Sequence, residues 1–248
     1  DARWGAGGLV SRIRTQLLGE QHPRVSGHLA YRALVPQHAL PKALRTRHVT
    51  AWLGPRLHVV QYPVRRGELQ NLVVIVQGPA PNDLENWDHA ANSADLETAL
   101  KGTCTALQQV VRGVVQAGGG WRLWPLCDRP PVRGPNEMAQ GVVALLGDAA
   151  HPMRPYLAQG AGMAIEDAAE LQRALAMHDL DVPLRLRRYA LNRWQRNARV
   201  QARSTRNGRI FHATGPVRWA RDASLRLLGE RLLDVPWLYR GDGSSASS

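Results

Sequence analysis

The residues best suited to chemistry follow a continuous apolar run, GVVALL, at residues 141–146. This run predicts a strand buried on both faces, and it leads into Gly147 and Asp148. In α/β folds, ligands bind beyond the carboxyl ends of such strands. An ionised Asp148 only accepts hydrogen bonds, which suits the hydroxyls of a ribityl or ribose chain. The residues alone leave open a simpler role, in which Asp148 only caps a turn.

A second candidate is the glycine-rich bend Gly160-Ala161-Gly162, which precedes a predicted helix. The first N–H groups of a helix lack partners within the helix, and glycine has no Cβ to block access to them. These groups could face an anionic or electron-rich ring. The alternative is that the glycines only permit a tight bend, and the residues alone do not decide between the two.

The elements that must position these residues mix strands with helices. Alternation and β-branched runs predict strands at 28–35, 56–60, 71–76 and 121–126, with 57–62 and 69–76 forming a hairpin. Helical spacing predicts helices at 9–19, 95–115, 183–204 and in the second half of 147–176. Strands scattered among helices without strict alternation indicate a mixed α+β or α/β fold. In the predicted hairpin, His58, Val60 and Tyr62 share one face.

Composition excludes several classes of protein. The chain has 248 residues, of which 44% are hydrophobic, which is typical of a globular chain with one large domain or two small ones. It contains no apolar run of about 18 residues and no secretory-signal pattern, so we expect a cytoplasmic protein without a membrane span. Cys104 and Cys127 stand alone, so we expect no disulfide framework and no metal, and we expect both side chains to be buried.

The formal charge of +12 is concentrated near the C-terminus, where residues 183–231 hold thirteen arginines against two acidic residues. Such a segment can bind nucleic acid or anionic lipid. No nucleic-acid motif accompanies the charge, so a solvated helix surface, or a face that meets an acidic partner, is the favoured interpretation. A non-enzymatic basic module, or a remnant of an enzyme, is the alternative to the catalytic function that follows.

The stretch GVVALLGDAAHPMRPYLAQGAGMAIEDAAEL resembles the second flavin-binding motif of FAD-dependent aromatic-ring monooxygenases, the single-component group that includes salicylate hydroxylase. The resemblance extends over most of the chain, through GAGGLVSRIR, SGHLAYRALVP, LHVVQYPVRRGELQNLVV and WRLWPLCDRPP. It implies FAD as cofactor, NADH or NADPH as co-substrate, and the use of O2 to hydroxylate a phenol-like aromatic carboxylic acid.

The resemblance also implies roles for individual residues. Asp148 would hold a ribityl hydroxyl, the glycine bend would lie against the isoalloxazine ring, and His151 would be structural. The implied cofactor-binding residues are Arg14, Gly147, Asp148, Pro155, Gly160, Ala161, Gly162 and Met163. His58 would take the phenolic proton, since a histidine titrates near neutral pH and a phenolate is the better nucleophile, and Tyr62 would orient the ring.

The substrate residues are less specific. Arg32 could meet a substrate carboxylate bidentately, although a structural ion pair is the favoured alternative. Tyr156 and Gln159 would line the pocket beside the ring. For His58 the alternative is a half-buried strand residue whose ring is satisfied by backbone groups.

The chain departs from the family pattern in two places. The G-x-G-x-x-G turn that seats the FAD diphosphate does not occur in this sequence, and Gly7 replaces the aspartate of the family's G-A-D-G signature. We therefore expect the 248-residue chain by itself to bind FAD weakly or not at all. It would be a truncated gene product, or would work with a separately encoded N-terminal half or as a homo-oligomer.

The expected domains follow from these assignments. Residues 1–19 and 139–180 would be part of an incomplete FAD-binding domain, 20–138 a sheet-rich substrate domain, 181–240 an arginine-rich helical region and 241–248 a disordered tail.

Overall fold

A computed structural model describes residues 2–19, 22–81, 83, 89–91, 93–229 and 235–239. The chain forms two compact units. The first consists of Asp1–His22, Arg129–Ile210 and Thr214–Ser248, and the second consists of Pro23–Asp128 and Phe211–Ala213. Both units combine helices with strands, which confirms the predicted mixed α/β class. The predicted disordered tail at 241–248 lies outside the described residues, and the predicted domain bounds stay predictions.

The second unit is built on a six-stranded antiparallel sheet. Its strands are β2 (Arg24–Pro36), β3 (Thr50–Gly54), β4 (Leu57–Val64), β5 (Leu69–Gln77), β6 (His89–Ala90) and β7 (Arg122–Asp128), in the order β3-β4-β5-β2-β7-β6. β4 and β5 pair from Leu57 opposite Val76 to Val64 opposite Leu69, which confirms the predicted hairpin. The turn between them places Arg65 and Arg66 at positive φ.

Two helices cover one face of this sheet, α2 (Ser93–Ala99) and α3 (Thr105–Gln116). Apolar residues of these helices, including Val110 and Val114 of α3, form one core with alternate strand residues. The strand residues include Tyr31, Val35, Val59, Leu72 and Val74. The prediction of a single helix over 95–115 is wrong, because Gly102 adopts φ +80 between the two helices, a conformation that no right-handed helix contains. The apolar spacing continues across the break, so periodicity alone does not reveal it.

The first unit contains a small sheet and five helices among its described residues. The strands β1 (Arg3–Gly5), β8 (Ala139–Gln140) and β9 (Val143–Leu145) have the order β1-β9-β8, with β1 parallel to β9. The helices are α1 (Arg12–Leu18), α4 (Gly160–Leu175), α5 (Val182–Phe211, whose last residue belongs to the second unit), α6 (Gly215–Leu228) and α7 (Pro236–Tyr239). Strand β9, α4 and α5 share a core that includes Leu145, Leu171 and Leu186.

Burial corrects the expectation for the cysteines. Cys104 is exposed, because it precedes the first turn of α3 and occupies its N-cap position, and Cys127 is only half-buried on β7. No described helix is long and apolar enough to cross a bilayer. In the same part of the chain, no three potential metal ligands cluster.

The start of α1 offers a test of local stability. The hydroxyl of Ser11 accepts a hydrogen bond from the Arg14 N–H at 3.2 Å, which caps the helix. Because alanine cannot accept this bond, Ser11→Ala is expected to lower the free energy of unfolding by about 1 kcal/mol in urea denaturation. Ser224→Ala is the control, since the Ser224 hydroxyl only donates to a carbonyl within α6, and it should be nearly neutral.

Candidate functional site

The turn after β9 is shaped by Gly147. This residue is buried with φ +58, and a Cβ built on it would lie 3.2 Å from the Cβ of Ala164 on α4. Glycine is therefore favoured here both by backbone conformation and by the close approach of the helix. The next residue, Asp148, is carried on one turn of 3₁₀ helix that spans Gly147–Ala149.

Asp148 lies next to the N-terminus of α4, so the turn after β9 and the glycine bend come together. Its side chain is exposed, and a Cβ on Gly160 would come within 3.8 Å of its Oδ1. Partial desolvation raises the pKa of Asp148, while the nearby His151 opposes this shift. The first turn of α4 has no acidic residue and no side-chain cap from Gln159. An accessible carboxylate acceptor thus lies beside backbone N–H donors that have no capping side chain.

The other residues of the predicted cofactor set differ in what they expose. Pro155 and Ala161 are exposed, Gly162 is half-buried, and the Met163 side chain is buried in a core with Val200. Met163 can therefore offer a ligand only its backbone. Ala158, just before the helix, adopts φ 52, so the bend extends further back than the glycines.

Arg14 holds the Asp148 turn from one side. Its Nη1 donates to the carbonyls of Ala149 and Ala150 at 3.0 and 2.8 Å, and its Nε is buried without a hydrogen-bond partner among the described residues. Burial first, and then the charge of Arg129, lower the pKa of Arg14. Arg129 is also buried and donates to the Leu9 carbonyl at 3.3 Å, and its Nε likewise has no partner within the described part of the chain. Two buried guanidiniums with spare N–H groups are a donor set that fits a diphosphate.

Asp167 holds the same turn from the other side, and sequence reasoning missed it. Its fully buried carboxylate accepts from the Gly147 N–H at 3.0 Å and from Nε2 of His151, and on α5 from Arg193 at 2.8 Å and Asn197 at 3.0 Å. Burial by itself would raise the pKa of Asp167, but hydrogen bonds from His151, Arg193 and Asn197 bring it below the usual value. The sequence did offer one signal: Asp167 lies at helical spacing between Met163 and Leu171, so a carboxylate occupies the buried face of α4.

In the second unit, the predicted catalytic residue His58 lies in a buried cluster of histidines. Its exposed fraction is 2%, and its Nδ1 shares a hydrogen bond of 2.7 Å with Nε2 of His212. The ring of His28 packs on His212 at 4.6 Å, and Phe211 packs on His58 at 5.3 Å. Burial, and then the charge of His28, lower the pKa of His58 to about 3. His58 is therefore neutral at pH 7, the form that accepts a proton, although the low pKa weakens it as a base.

The remaining predicted residues are placed as follows. Tyr62 is half-buried on β4 opposite Asn71. Arg32 is exposed on β2 with its guanidinium 4.8 Å from the centre of the Trp124 ring, and it has no carboxylate partner in the part of the chain that is described. The favoured ion pair is thus absent there. Tyr156 is buried in the first unit against Gly208 of α5, which leaves its ring little surface for a ligand.

Comparison with known proteins shows which proteins this chain is similar to. Residues 132–204 match the family model described as an FAD binding domain. The chain is 37% identical over 238 residues to 3-hydroxybenzoate 6-hydroxylase of Polaromonas naphthalenivorans (strain CJ2), covering 95% of this chain and 57% of that protein. It is 36% identical over 238 residues to 3-hydroxybenzoate 6-hydroxylase 2 of Aquipseudomonas alcaligenes, covering 95% of this chain and 71% of that protein.

The fold is similar to that of a solved aromatic hydroxylase. A salicylate hydroxylase solved as a substrate complex superposes with a TM-score of 0.82 at 27% identity, covering 96% of this chain and 61% of that one. The chain thus spans little more than half the length of several relatives that it matches. The matched FAD binding domain includes the Asp148 turn, Asp167 and the start of α4. From this combination of site, sequence and fold, the chain belongs to the family of FAD-dependent aromatic-ring monooxygenases.

Proposed function

We propose that this chain is part of a cytoplasmic enzyme that uses FAD, NADH or NADPH, and O2 to hydroxylate a phenol-like aromatic carboxylic acid. The observation that carries the proposal is the accessible Asp148 carboxylate beside the uncapped start of α4, in a chain of this family. Bound FAD supplies the redox chemistry that activates oxygen. The residues of the chain bind, orient and exchange protons.

In the first unit, the proposed roles follow from donors and acceptors. Asp148 accepts hydrogen bonds from ribityl hydroxyls, because an ionised carboxylate is purely an acceptor. The N–H groups of Gly160 and Ala161 donate to an electron-rich edge of the ring, where the absence of a Cβ on Gly160 leaves room. Arg14 offers an unsatisfied buried N–H toward the diphosphate while it holds the carbonyls of the turn.

In the second unit, the proposed roles concern the substrate. His58 accepts the phenolic proton, and Tyr62 orients the aromatic ring by a hydrogen bond. The negative charge of a bound phenol acid would stabilise the imidazolium form of His58 and so counteract the desolvation that lowers its pKa. Arg32 binds the carboxylate of the substrate, with its guanidinium plane held over Trp124.

The proposal is tested by titrating the purified chain with FAD in equilibrium dialysis. We expect saturable but weak binding, because the sequence contains no G-x-G-x-x-G turn for the diphosphate. Asp148→Asn is expected to weaken binding about tenfold or more, since hydrogen bonds to a charged acceptor are stronger than those to an amide. Asp181→Asn is the matched control, because Asp181 is exposed and, among the described residues, its carboxylate accepts from the Leu184 N–H alone, at the start of α5.

Each part of the proposal has its own contrary result. A complex of sub-micromolar affinity would contradict the expected weakness of the isolated chain. Equal affinities for the parent and Asp148→Asn would remove Asp148 from the site. Absence of any saturable binding would contradict the assignment of a flavin site to these residues.

A further inference from the structure

The polar cluster around Asp167, which is buried except for the half-buried Glu166, has no part in the contacts proposed for FAD. It consists of Asp167 and Glu166 on α4, Arg193, Arg196 and Asn197 on α5, and His151 after the Asp148 turn. Burying so many charged groups costs free energy unless each is hydrogen-bonded, and a cluster of this kind restricts the geometry of the elements that it joins.

We propose that Asp167 is a positioning residue, which holds Gly147 and His151 and thereby fixes Asp148 for the flavin. The inference rests on the proposed function of Asp148. Its basis is the division of hydrogen bonds between the two carboxylate oxygens. Oδ2 accepts from the Gly147 N–H and His151, which flank Asp148, whereas Oδ1 accepts from Arg193 and Asn197 on α5. The carboxylate of Asp167 therefore connects the turn to α5.

The helix side of this connection is itself anchored. Arg193 contacts both Asp167 and Glu166, at 2.8 and 2.7 Å. Arg196 binds both oxygens of Glu166, at 2.6 and 2.7 Å, and also donates to the carbonyls of Trp237 and Leu238. The turn, α4, α5 and α7 are thus linked through one set of charges. Arg14 holds Ala149 and Ala150 from the opposite side, so the turn is held at both ends.

Asp167→Asn separates the two sides of the connection. Asparagine has one acceptor oxygen, and the charged Arg193 is the stronger donor, so the oxygen should turn toward Arg193. The amide NH2 then faces the turn, where His151 can adopt the tautomer that accepts a hydrogen bond. The Gly147 N–H cannot change from donor to acceptor and is left buried without a partner. The substitution therefore releases the turn while it retains the link to α5.

Two measurements on the full chain test this proposal. Amide hydrogen exchange, resolved at Gly147 by NMR, is expected to accelerate at least tenfold in Asp167→Asn, because the N–H loses its acceptor. FAD affinity by equilibrium dialysis is expected to fall about tenfold, as when the support of a binding group is removed. If Asp167→Asn does not fold, His151→Asn replaces it. This change removes the second bond between Asp167 and the turn but leaves the acceptor of the Gly147 N–H in place, so we expect the same directions with a smaller effect on exchange.

Two controls separate positioning from stability. Glu170→Gln makes the same acid-to-amide change on α4, where the carboxylate contacts Arg173 and Asn192 instead of the turn. It should leave both measurements unchanged. Leu186→Ala destabilises the same unit from its buried core without removing a hydrogen bond to the turn. At temperatures where the two variants have the same free energy of unfolding, Leu186→Ala should affect Gly147 exchange and FAD affinity less than Asp167→Asn does.

The outcomes are distinct. If Asp167→Asn and Leu186→Ala change exchange and affinity equally at matched stability, Asp167 only stabilises the fold and the proposal is overturned. If the parent chain binds no FAD, the proposed function of this chain fails, and Gly147 exchange in Asp167→Asn still decides whether Asp167 holds the turn. Unchanged exchange at Gly147 would refute the proposal whatever the FAD affinity.

Discussion

Gly208→Ala is expected to destabilise the chain by about 1–3 kcal/mol, although alanine is the better helix former. Gly208 is buried on α5, and a Cβ there would lie 2.4 Å from Cε2 and 2.7 Å from Cδ2 of Tyr156. Helix propensity alone predicts a gain of about 1 kcal/mol for the same change. The sign measured in urea denaturation therefore decides whether the Tyr156 ring occupies this position.

A double-mutant cycle provides the control for this expectation. In a Tyr156→Leu background, the clash is relieved, so Gly208→Ala should become neutral or stabilising. The difference between the two backgrounds is the coupling between the ring and the helix. A stabilising Gly208→Ala in the parent chain would show that Tyr156 is elsewhere, and would restore it as a candidate for lining a pocket.

Acidification is expected to destabilise the protein through His58. A histidine whose pKa falls from 6.5 to about 3 on folding disfavours the native state when the unfolded chain takes up its proton. Stability from this group is complete above pH 6.5, falls as the pH drops from 6.5 to 3, and changes no further below. The expected loss is about 1.4 kcal/mol for each pH unit in this window, or about 2 kcal/mol between pH 7 and 5.

The contribution of His58 is isolated by comparing variants, because carboxylates also titrate in acid. His58→Gln should flatten the loss of unfolding free energy between pH 7 and 5 relative to the parent, in urea denaturation at each pH. His48→Gln is the matched control, since His48 is exposed in the same unit and should leave the profile unchanged. Parallel profiles for the parent and His58→Gln would mean that His58 is not desolvated to this extent, or that His28 and His212 carry the effect.

The sequence alone determined the features that arise from local pattern. Alternation predicted the β4–β5 hairpin, because each strand residue presents its side chain to a defined face. The order of apolar run, Gly147-Asp148 and glycine bend indicated a turn and a helix start, because both depend on the conformation of consecutive residues. The resemblance carried by the same residues indicated the family, which the comparisons confirm.

Tertiary structure decided which distant groups meet. His58 and His212 are 154 residues apart, and no periodicity relates a strand residue to the segment after a helix end. The four donors to Asp167 come from two distant parts of the chain, the turn after β9 and α5, so its role follows from packing rather than from its place on α4. Gly102 interrupts a continuous apolar pattern for a similar reason, since both α2 and α3 contribute to one core across the break. Local patterns specify which face of an element is buried, whereas the partner that it meets there depends on the whole fold.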